Sequence, residues 1–115
     1  MYNRSFMNII LLLLLAGCAP KSTAPEVLGS GVRFSFVAPS ATSVAIAGSF
    51  NQWDPEQARL TGPDKNGIWT IILQLSTGRH EYHFVINSSE WALDPAAPAI
   101  DDGFEGKNSF VIVPP

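Results

Sequence analysis

Two histidines are the first side chains in this sequence that could carry acid–base or metal chemistry. His80 and His83 lie three residues apart in an alternating apolar and polar run. Successive side chains of a strand point to opposite faces, so these imidazoles cannot share a metal ion or a proton relay locally. Asp94, Asp101 and Asp102 stand in a Pro- and Gly-rich connection, where carboxylates more often shape turns than act as a catalytic pair. With no Gly-rich phosphate loop either, the sequence favours a protein that is not an enzyme and has no metal and no cofactor.

Three tryptophans are candidates for binding, because an indole at the edge of a loop can offer a flat apolar face to a sugar ring. Trp69 shares one face of its apolar run with Ile71 and is expected in the core. Trp53 precedes an Asp-Pro pair, and Trp91 follows a run of turn-forming residues. On this chemistry alone, core packing and sugar binding are equally supported for Trp53 and Trp91.

Short apolar runs with a period of two must position these side chains. Such runs begin at Val32, Val44, Trp69, His80 and Phe110. Gly, Pro and Asn separate them, which is typical of antiparallel strands joined by turns. No stretch after residue 17 has the period of a helix. Because a sheet with one apolar face needs a second sheet to cover it, the pattern predicts an all-β antiparallel β-sandwich.

The first 17 residues have the layout of a signal peptide. Arg4 precedes an apolar run, from Met7 to Ala16, that contains five consecutive leucines. This run is about half of the roughly 20 residues that a spanning helix needs, so a permanent transmembrane anchor is the weaker interpretation. The string Leu-Ala-Gly-Cys that ends at Cys18 resembles the lipobox of bacterial lipoproteins, in which a peptidase cleaves before an acylated cysteine.

Cys18 is the only cysteine, and lipidation by acyl chains such as palmitate explains a lone thiol in an exported protein. The resemblance implies three chains on the mature protein, which hold a domain on a membrane where a single chain would not. In that class an Asp after the cysteine favours the inner membrane. Ala19 follows here, so the outer membrane of the cell envelope is expected if the host is diderm.

The remaining chain is large enough for one small domain. Removal of residues 1–17 from the 115-residue chain leaves 98. Residues 18–30 have the composition of a flexible tether, and the fold is expected to begin near Gly31 and to occupy residues 31–115. Six basic and ten acidic residues follow the signal peptide. This balance argues against a nucleic-acid partner and against a polybasic membrane patch.

Five motifs in order resemble one known family. They are G-S-F-N-Q-W at 48–53, G-I-W at 67–69, G-R-H-E-Y-H-F-V at 78–85, W-A-L-D-P at 91–95 and G-K-N-S-F at 106–110. They are similar to the glycogen-binding domain of the AMP-activated protein kinase β subunit and to family-48 carbohydrate-binding modules, or isoamylase early-set domains. The resemblance covers about residues 31 to 113. It implies an immunoglobulin-like, early-set β-sandwich that binds glycogen or a related α-glucan without catalysis.

The resemblance also implies a carbohydrate site made of Trp53, His83, Trp91 and Asn108. Trp53 and Trp91 match two tryptophans that grip the glucan in binding members, and Asn108 matches an asparagine that bonds the sugar. His83 stands where those members have a lysine that contacts sugar hydroxyls. An imidazole can still bond a hydroxyl, with a shorter reach and no fixed charge at neutral pH. His80 is expected to be a hydrogen-bonded histidine of the core.

The loop before Asn108 departs from the family pattern. Binding members have a leucine and a threonine there, whereas this chain has Phe104-Glu105-Gly106-Lys107. Either Phe104 or Lys107 replaces the leucine as a contact to the glucan, or this contact is lost. Two functions therefore stay open. One is a membrane-anchored lipoprotein that binds an α-glucan or other oligosaccharide, and the other is an envelope protein–protein interaction module that has kept the early-set fold but lost sugar binding.

Overall fold

Eight short strands form the regular structure of residues 22–29 and 31–115, the part of the chain that the computed structural model describes. They are β1 (Glu26–Leu28), β2 (Gly31–Val37), β3 (Val44–Gly48), β4 (Ile68–Leu73), β5 (Gly78–Ile86), β6 (Glu90–Ala92), β7 (Ala99–Asp101) and β8 (Lys107–Val113). Within these residues no helix is long and apolar enough to cross a membrane. The predicted signal peptide and Cys18 lie outside the described residues.

The strands form two antiparallel sheets. β2 lies between β1 and β4 in the first sheet, and the second has the order β3-β5-β8-β7, with β6 also paired to β5. The nine-residue β5 is the centre of the second sheet, because β3 lies along one side of it and β8 and β6 share the other. The antiparallel all-β sandwich that the period of two predicts is confirmed.

The core lies between the sheets and follows the predicted alternation. Phe34 of β2, Ile46 of β3 and Tyr82 of β5 are fully buried. Trp69 is 5% exposed, and its indole N–H donates to the carbonyl of Ala38 at 2.9 Å. Trp69 is therefore a core residue, as expected, and its one polar group has a partner.

Three of the strands are not predicted by the sequence pattern. β1, β6 and β7 have three residues each, which is too short to show a period of two. β1 lies in the segment expected to be a tether, and its pairing with β2 places ordered backbone before Gly31, where the fold is expected to begin. Val27 in this strand is 45% exposed, so β1 adds little to the core.

Candidate functional site

The outer face of the second sheet carries the candidate residues. Alternation along β5 directs Tyr82 into the core and His83 to the opposite face. His80 lies on the core side, where its ring centroid is 6.2 Å from that of Phe50 and its Nε2 lies 2.7 Å from the carbonyl oxygen of Ser76. The two histidines are therefore on opposite faces, and His80 has the hydrogen-bonded inward position expected for it.

A strained turn holds Trp53 at this outer face. The N–H of Asp54 donates to the carbonyl of Asn51 at 3.1 Å, and the N–H of Trp53 donates to the carbonyl of Gly48 at 3.0 Å. Gln52 and Trp53 each have a φ of 58°, in the left-handed region that large side chains rarely adopt. Such strain costs on the order of 1–3 kcal/mol per residue and is found where surrounding contacts maintain it, often at ligand sites.

The G-S-F-N-Q-W motif supplies the contacts that maintain this turn. The Asn51 side chain accepts the N–H of Gly48 at 2.9 Å and donates to the carbonyl of Ile46 at 3.0 Å, which is the backbone-bonding role expected of it. Gly48 cannot carry a side chain, because a Cβ there would lie 2.5 Å from the carbonyl oxygen of Glu81 and 2.6 Å from the ring of Phe50. The Trp53 indole then packs against the apolar cluster of Ala45, Ala47 and Val85.

Trp91 reaches the same face from the hairpin that joins β5 to β6. It pairs across the strands with Val85, and it is 47% exposed. Asn87 and Ser88 lie in the three-residue connection between the strands, with φ values of 52° and 64°, both in the left-handed region. The Asn87 side-chain oxygen also accepts the N–H of Thr42 at 2.8 Å. This bond ties the hairpin to the loop before β3.

His83 lies between the two indoles. Its ring centroid is 6.1 Å from that of Trp53 and 6.1 Å from that of Trp91. Its Nε2 lies 2.9 Å from the carbonyl oxygen of Lys107 and 2.9 Å from Oδ1 of Asn108, so this nitrogen carries a hydrogen and donates to two oxygens. Nδ1 is buried and has no hydrogen-bond partner among the residues described. In this geometry the Nε2 hydrogen is already used within the protein, and the buried Nδ1 is out of reach of a sugar hydroxyl.

Asn108 is oriented by two neighbours on the same face. Its Oδ1 faces His83, and its Nδ2 donates to Oε1 of Glu81 at 3.1 Å. An amide nitrogen has two hydrogens, and one of them is donated to Glu81, which leaves the other for a ligand. Glu81 is not among the site residues predicted from the sequence. The alternation along β5, which places Glu81 on the face of His83, is the signal that could have identified it.

A tightly hydrogen-bonded loop between β7 and β8 exposes Phe104. Oδ1 of Asp102 accepts the N–H of Phe104 at 2.7 Å and that of Gly106 at 3.0 Å. These donors hold the pKa of the Asp102 carboxyl below its usual value. Phe104 is 89% exposed, although the backbone around it is held in place. Lys107, at the end of the loop, pairs with Asp101 at 3.2 Å.

A buried hydrogen bond lies beneath the outer face. The Tyr82 hydroxyl donates to Oδ2 of Asp94 at 2.7 Å, and burial raises the pKa of both groups. Oδ1 of Asp94 accepts the N–H of Ala96, and the N–H of Asp94 donates to the Ser109 hydroxyl at 2.8 Å. Asp94 shapes the expected turn after β6 and also attaches that turn to β5 and β8.

The structure thus brings four of the five sequence-predicted site residues onto one face: Trp53, His83, Trp91 and Asn108. The fifth, Cys18, lies outside the described residues. In residues 22–29 and 31–115, no group of His, Cys, Asp and Glu side chains could hold a metal ion. The chemistry available on this face is therefore stacking on aromatic rings together with hydrogen bonding from an oriented amide.

Comparison with known proteins identifies relatives of this chain. Over 58 residues it is 34% identical to the 1,4-alpha-glucan branching enzyme GlgB of Bacillus cereus strain AH820 and to that of Bacillus anthracis. It is 32% identical over 59 residues to the enzyme of Bacillus cereus strain AH187. These stretches cover 50–51% of this chain but 9% of each enzyme.

A family model gives a match that covers more of the chain. The model of carbohydrate-binding module 48, the isoamylase N-terminal domain, matches residues 17–97. This match includes Trp53, His83 and Trp91, and it ends before Asn108. The order of the five motifs and the two-sheet fold agree with it. The chain therefore belongs to the family-48 carbohydrate-binding modules.

Proposed function

We propose that this chain is a non-catalytic α-glucan-binding module, held on a membrane of the cell envelope by a lipid on Cys18. One observation carries the binding part of the proposal. The indoles of Trp53 and Trp91 flank His83 on one outer face, each with its ring centroid 6.1 Å from the imidazole. We call this face, defined by Trp53, His83, Trp91 and Asn108, the tryptophan platform.

The tryptophan platform suits a sugar ring because it combines flat apolar surfaces with an oriented amide. The half-exposed Trp91 and the turn-held Trp53 can stack on the CH faces of sugars, while Asn108 can donate to a hydroxyl. Holding Trp53 in its turn before binding reduces the conformational freedom lost on association. A shallow surface buries little area, so we expect modest affinity.

Two nearby residues favour a neutral sugar and extend its contacts. Lys107, next to Asn108 in the chain, already pairs with Asp101, so little positive charge is left for an anionic ligand. Phe104, which is 89% exposed, stands in the loop where binding members of the family have a leucine. It can supply a third apolar contact at the rim of the tryptophan platform.

The anchoring part of the proposal rests on the N-terminal sequence. The apolar run that ends in Leu-Ala-Gly-Cys supports cleavage before Cys18 and acylation of its thiol. Ala19 supports sorting to the outer membrane in a diderm host. In this arrangement the anchored module would hold a glucan at the membrane surface.

Affinity electrophoresis tests the binding function directly. The full chain would be run in native gels that contain glycogen, amylose or an unrelated polysaccharide, with a detergent that has no sugar headgroup. We expect retardation by the two α-glucans alone, and its loss in Trp91→Ala, because truncation of a stacking indole costs about tenfold or more in affinity. Ile72→Ala, which changes a 52%-exposed residue of the other sheet, is the control and should migrate as wild type. Unaltered migration of the wild type in every gel would overturn the proposal.

One observation favours a second function, an envelope protein-interaction module that keeps the fold without binding sugar. Nδ1 of His83 is buried and Nε2 already donates to Lys107 and Asn108, so the imidazole does not replace the direct bond that a lysine makes in binding members. Under this second function the wild type would not be retarded by any glucan. Crosslinking in a membrane extract would then recover one specific protein, and Trp91→Ala would lose it.

A further inference from the structure

A cavity of about 280 Å³ opens beside the tryptophan platform. Its floor is formed by Ala45 of β3 and Val85 of β5, which are 8% and 1% exposed. The polar part of its rim consists of Ser43, Glu56, Arg59 and Ser88. The cavity therefore has an apolar base and a ring of hydrogen-bonding groups.

The floor of the cavity is continuous with the tryptophan platform. Trp53 packs against the cluster that contains both floor residues, and Val85 is the cross-strand partner of Trp91. Val85 also lies two residues beyond His83 on the same face of β5, about 7 Å along the strand. The cavity and the tryptophan platform therefore share the same buried residues at their base.

The lining has the chemistry that a neutral hexose needs. The serine hydroxyls of the rim can donate to or accept from sugar hydroxyls, while Ala45 and Val85, which are almost fully buried, close the base of the cavity. The Arg59 guanidinium donates to both carboxylate oxygens of Glu56, at 2.5 and 3.1 Å, so its charge is already balanced. The rim consequently favours an uncharged polar ligand over an anion.

The backbone of the rim is held in place before a ligand arrives. Arg59 forms a bridge with Ala45, which attaches the loop after Trp53 to the edge of β3. The N–H of Asn87 donates to the carbonyl of Ser43 at 2.9 Å, and Ser88 completes the left-handed turn. A rim with little freedom to lose binds a sugar at a smaller entropic cost.

We propose that this cavity is an additional hexose subsite, which takes the unit of a neutral glucan chain next to the units on Trp53 and Trp91. The proposal rests on the glucan-binding function proposed above. It predicts that affinity depends on chain length, because only a longer oligosaccharide fills the tryptophan platform and the cavity together.

Isothermal titration of Ser43→Leu with maltose and maltoheptaose tests the subsite, because maltose has only two glucose units and cannot occupy both indoles and the cavity. The leucine places an apolar side chain in the rim, while the bond between the Ser43 carbonyl and Asn87 is made by backbone and remains. We expect affinity for maltoheptaose to fall about three- to tenfold, as for the loss of one net hydrogen bond, with affinity for maltose unaffected. Ser76→Leu, an exposed change before the opposite end of β5, is the matched control and should bind both sugars as wild type does.

Arg59→Ala provides a second variant that leaves the floor untouched, since the Arg59 side chain is 53% exposed. It should lower affinity for maltoheptaose in the same way. Wild-type binding of maltoheptaose by both variants would overturn the subsite but leave the tryptophan platform in place. An equal loss of affinity for both sugars would also overturn the subsite, because the substitutions would then act through Trp53 and Trp91. Absence of binding of either sugar by the wild type would overturn the proposed function together with the subsite.

Discussion

His83 occupies the centre of the tryptophan platform without offering a ligand a hydrogen bond of its own. Its ring meets the indoles of Trp53 and Trp91 at interplanar angles of 68° and 59°, and its Nε2 donates to the loop and to Asn108. At the scale of single residues, the imidazole therefore positions the groups around it. Stacking and the oriented amide of Asn108 are left to contact the sugar.

Asp94→Asn is expected to change how stability depends on pH. Burial raises the pKa of Asp94 above its ordinary value of 3.8, so the protonated carboxyl favours the folded state. This contribution is fully present below pH 3.8 and is lost as the pH rises through the folded-state pKa. The free energy of unfolding of wild type relative to Asp94→Asn should therefore fall as the pH rises over this range. This difference can be measured at each pH by urea unfolding, with tryptophan fluorescence as the signal.

Asp102→Asn serves as the control with the opposite sign. Backbone N–H donors lower the pKa of Asp102, so its contribution is present above the ordinary value of 3.8 and is lost as the pH falls through the folded-state pKa. The free energy of unfolding of wild type, relative to that of Asp102→Asn, should therefore increase as the pH rises. A difference for Asp94→Asn that stays constant across the titration would contradict the raised pKa.

Two left-handed turns, at the scale of elements, place the indoles. The turn after β3 carries Trp53 itself, and the turn between β5 and β6 precedes Trp91 by three residues. Neither turn has Gly at its left-handed positions, although Gly adopts that conformation without steric cost. Side-chain bonds from Asn51 and Asn87 to neighbouring backbone hold these turns. The strain is thus located where the two tryptophans are positioned.

Ser88→Gly should relieve the strain of the second turn. With a φ of 64° at Ser88, we expect Gly to raise the free energy of unfolding by about 0.5–1 kcal/mol, since relief of the left-handed penalty exceeds the added chain entropy. Ser89→Gly is the matched control, because the backbone of Ser89 lies outside the left-handed region. Ser89→Gly should lower the free energy of unfolding by a similar amount, because it adds chain entropy without relieving strain. Equal losses in both variants, measured by urea unfolding, would argue against strain at Ser88.

At the scale of the whole molecule, the proposed anchor and the tryptophan platform belong to separate parts of the chain. Seven residues stand between Cys18 and the first residue of β1. Fully extended, they would span about 25 Å. A lipid on Cys18 would therefore keep the module close to the membrane surface.

Cys18→Ser tests the proposed anchor without touching the described fold. Serine has no thiol to acylate, so in a diderm host we expect loss of palmitate labelling and release of the protein from the membrane fraction. The variant should still be retarded by glycogen gels, because the tryptophan platform is unchanged. Membrane association that survives the substitution would instead support a retained apolar N-terminal segment as the anchor.

The period of two predicted the five longer strands, the core position of Trp69 and the opposite faces of His80 and His83. Such alternation is a local property of a strand, so it can be read from residues adjacent in the chain. The three-residue strands β1, β6 and β7 escaped prediction because they are held by pairing with longer neighbours rather than by a pattern of their own. The first of them also places ordered backbone within the expected tether.

By itself the sequence determined the sandwich, the family resemblance and the residues to consider as a site. Only the tertiary structure decided how Trp53, His83, Trp91 and Asn108 meet, that Glu81 orients the amide, and that Nδ1 of His83 is buried without a partner. It also decided where the cavity lies. The physical reason is that these features depend on hydrogen bonds and burial between segments up to 45 residues apart, which a pattern of neighbouring residues does not contain.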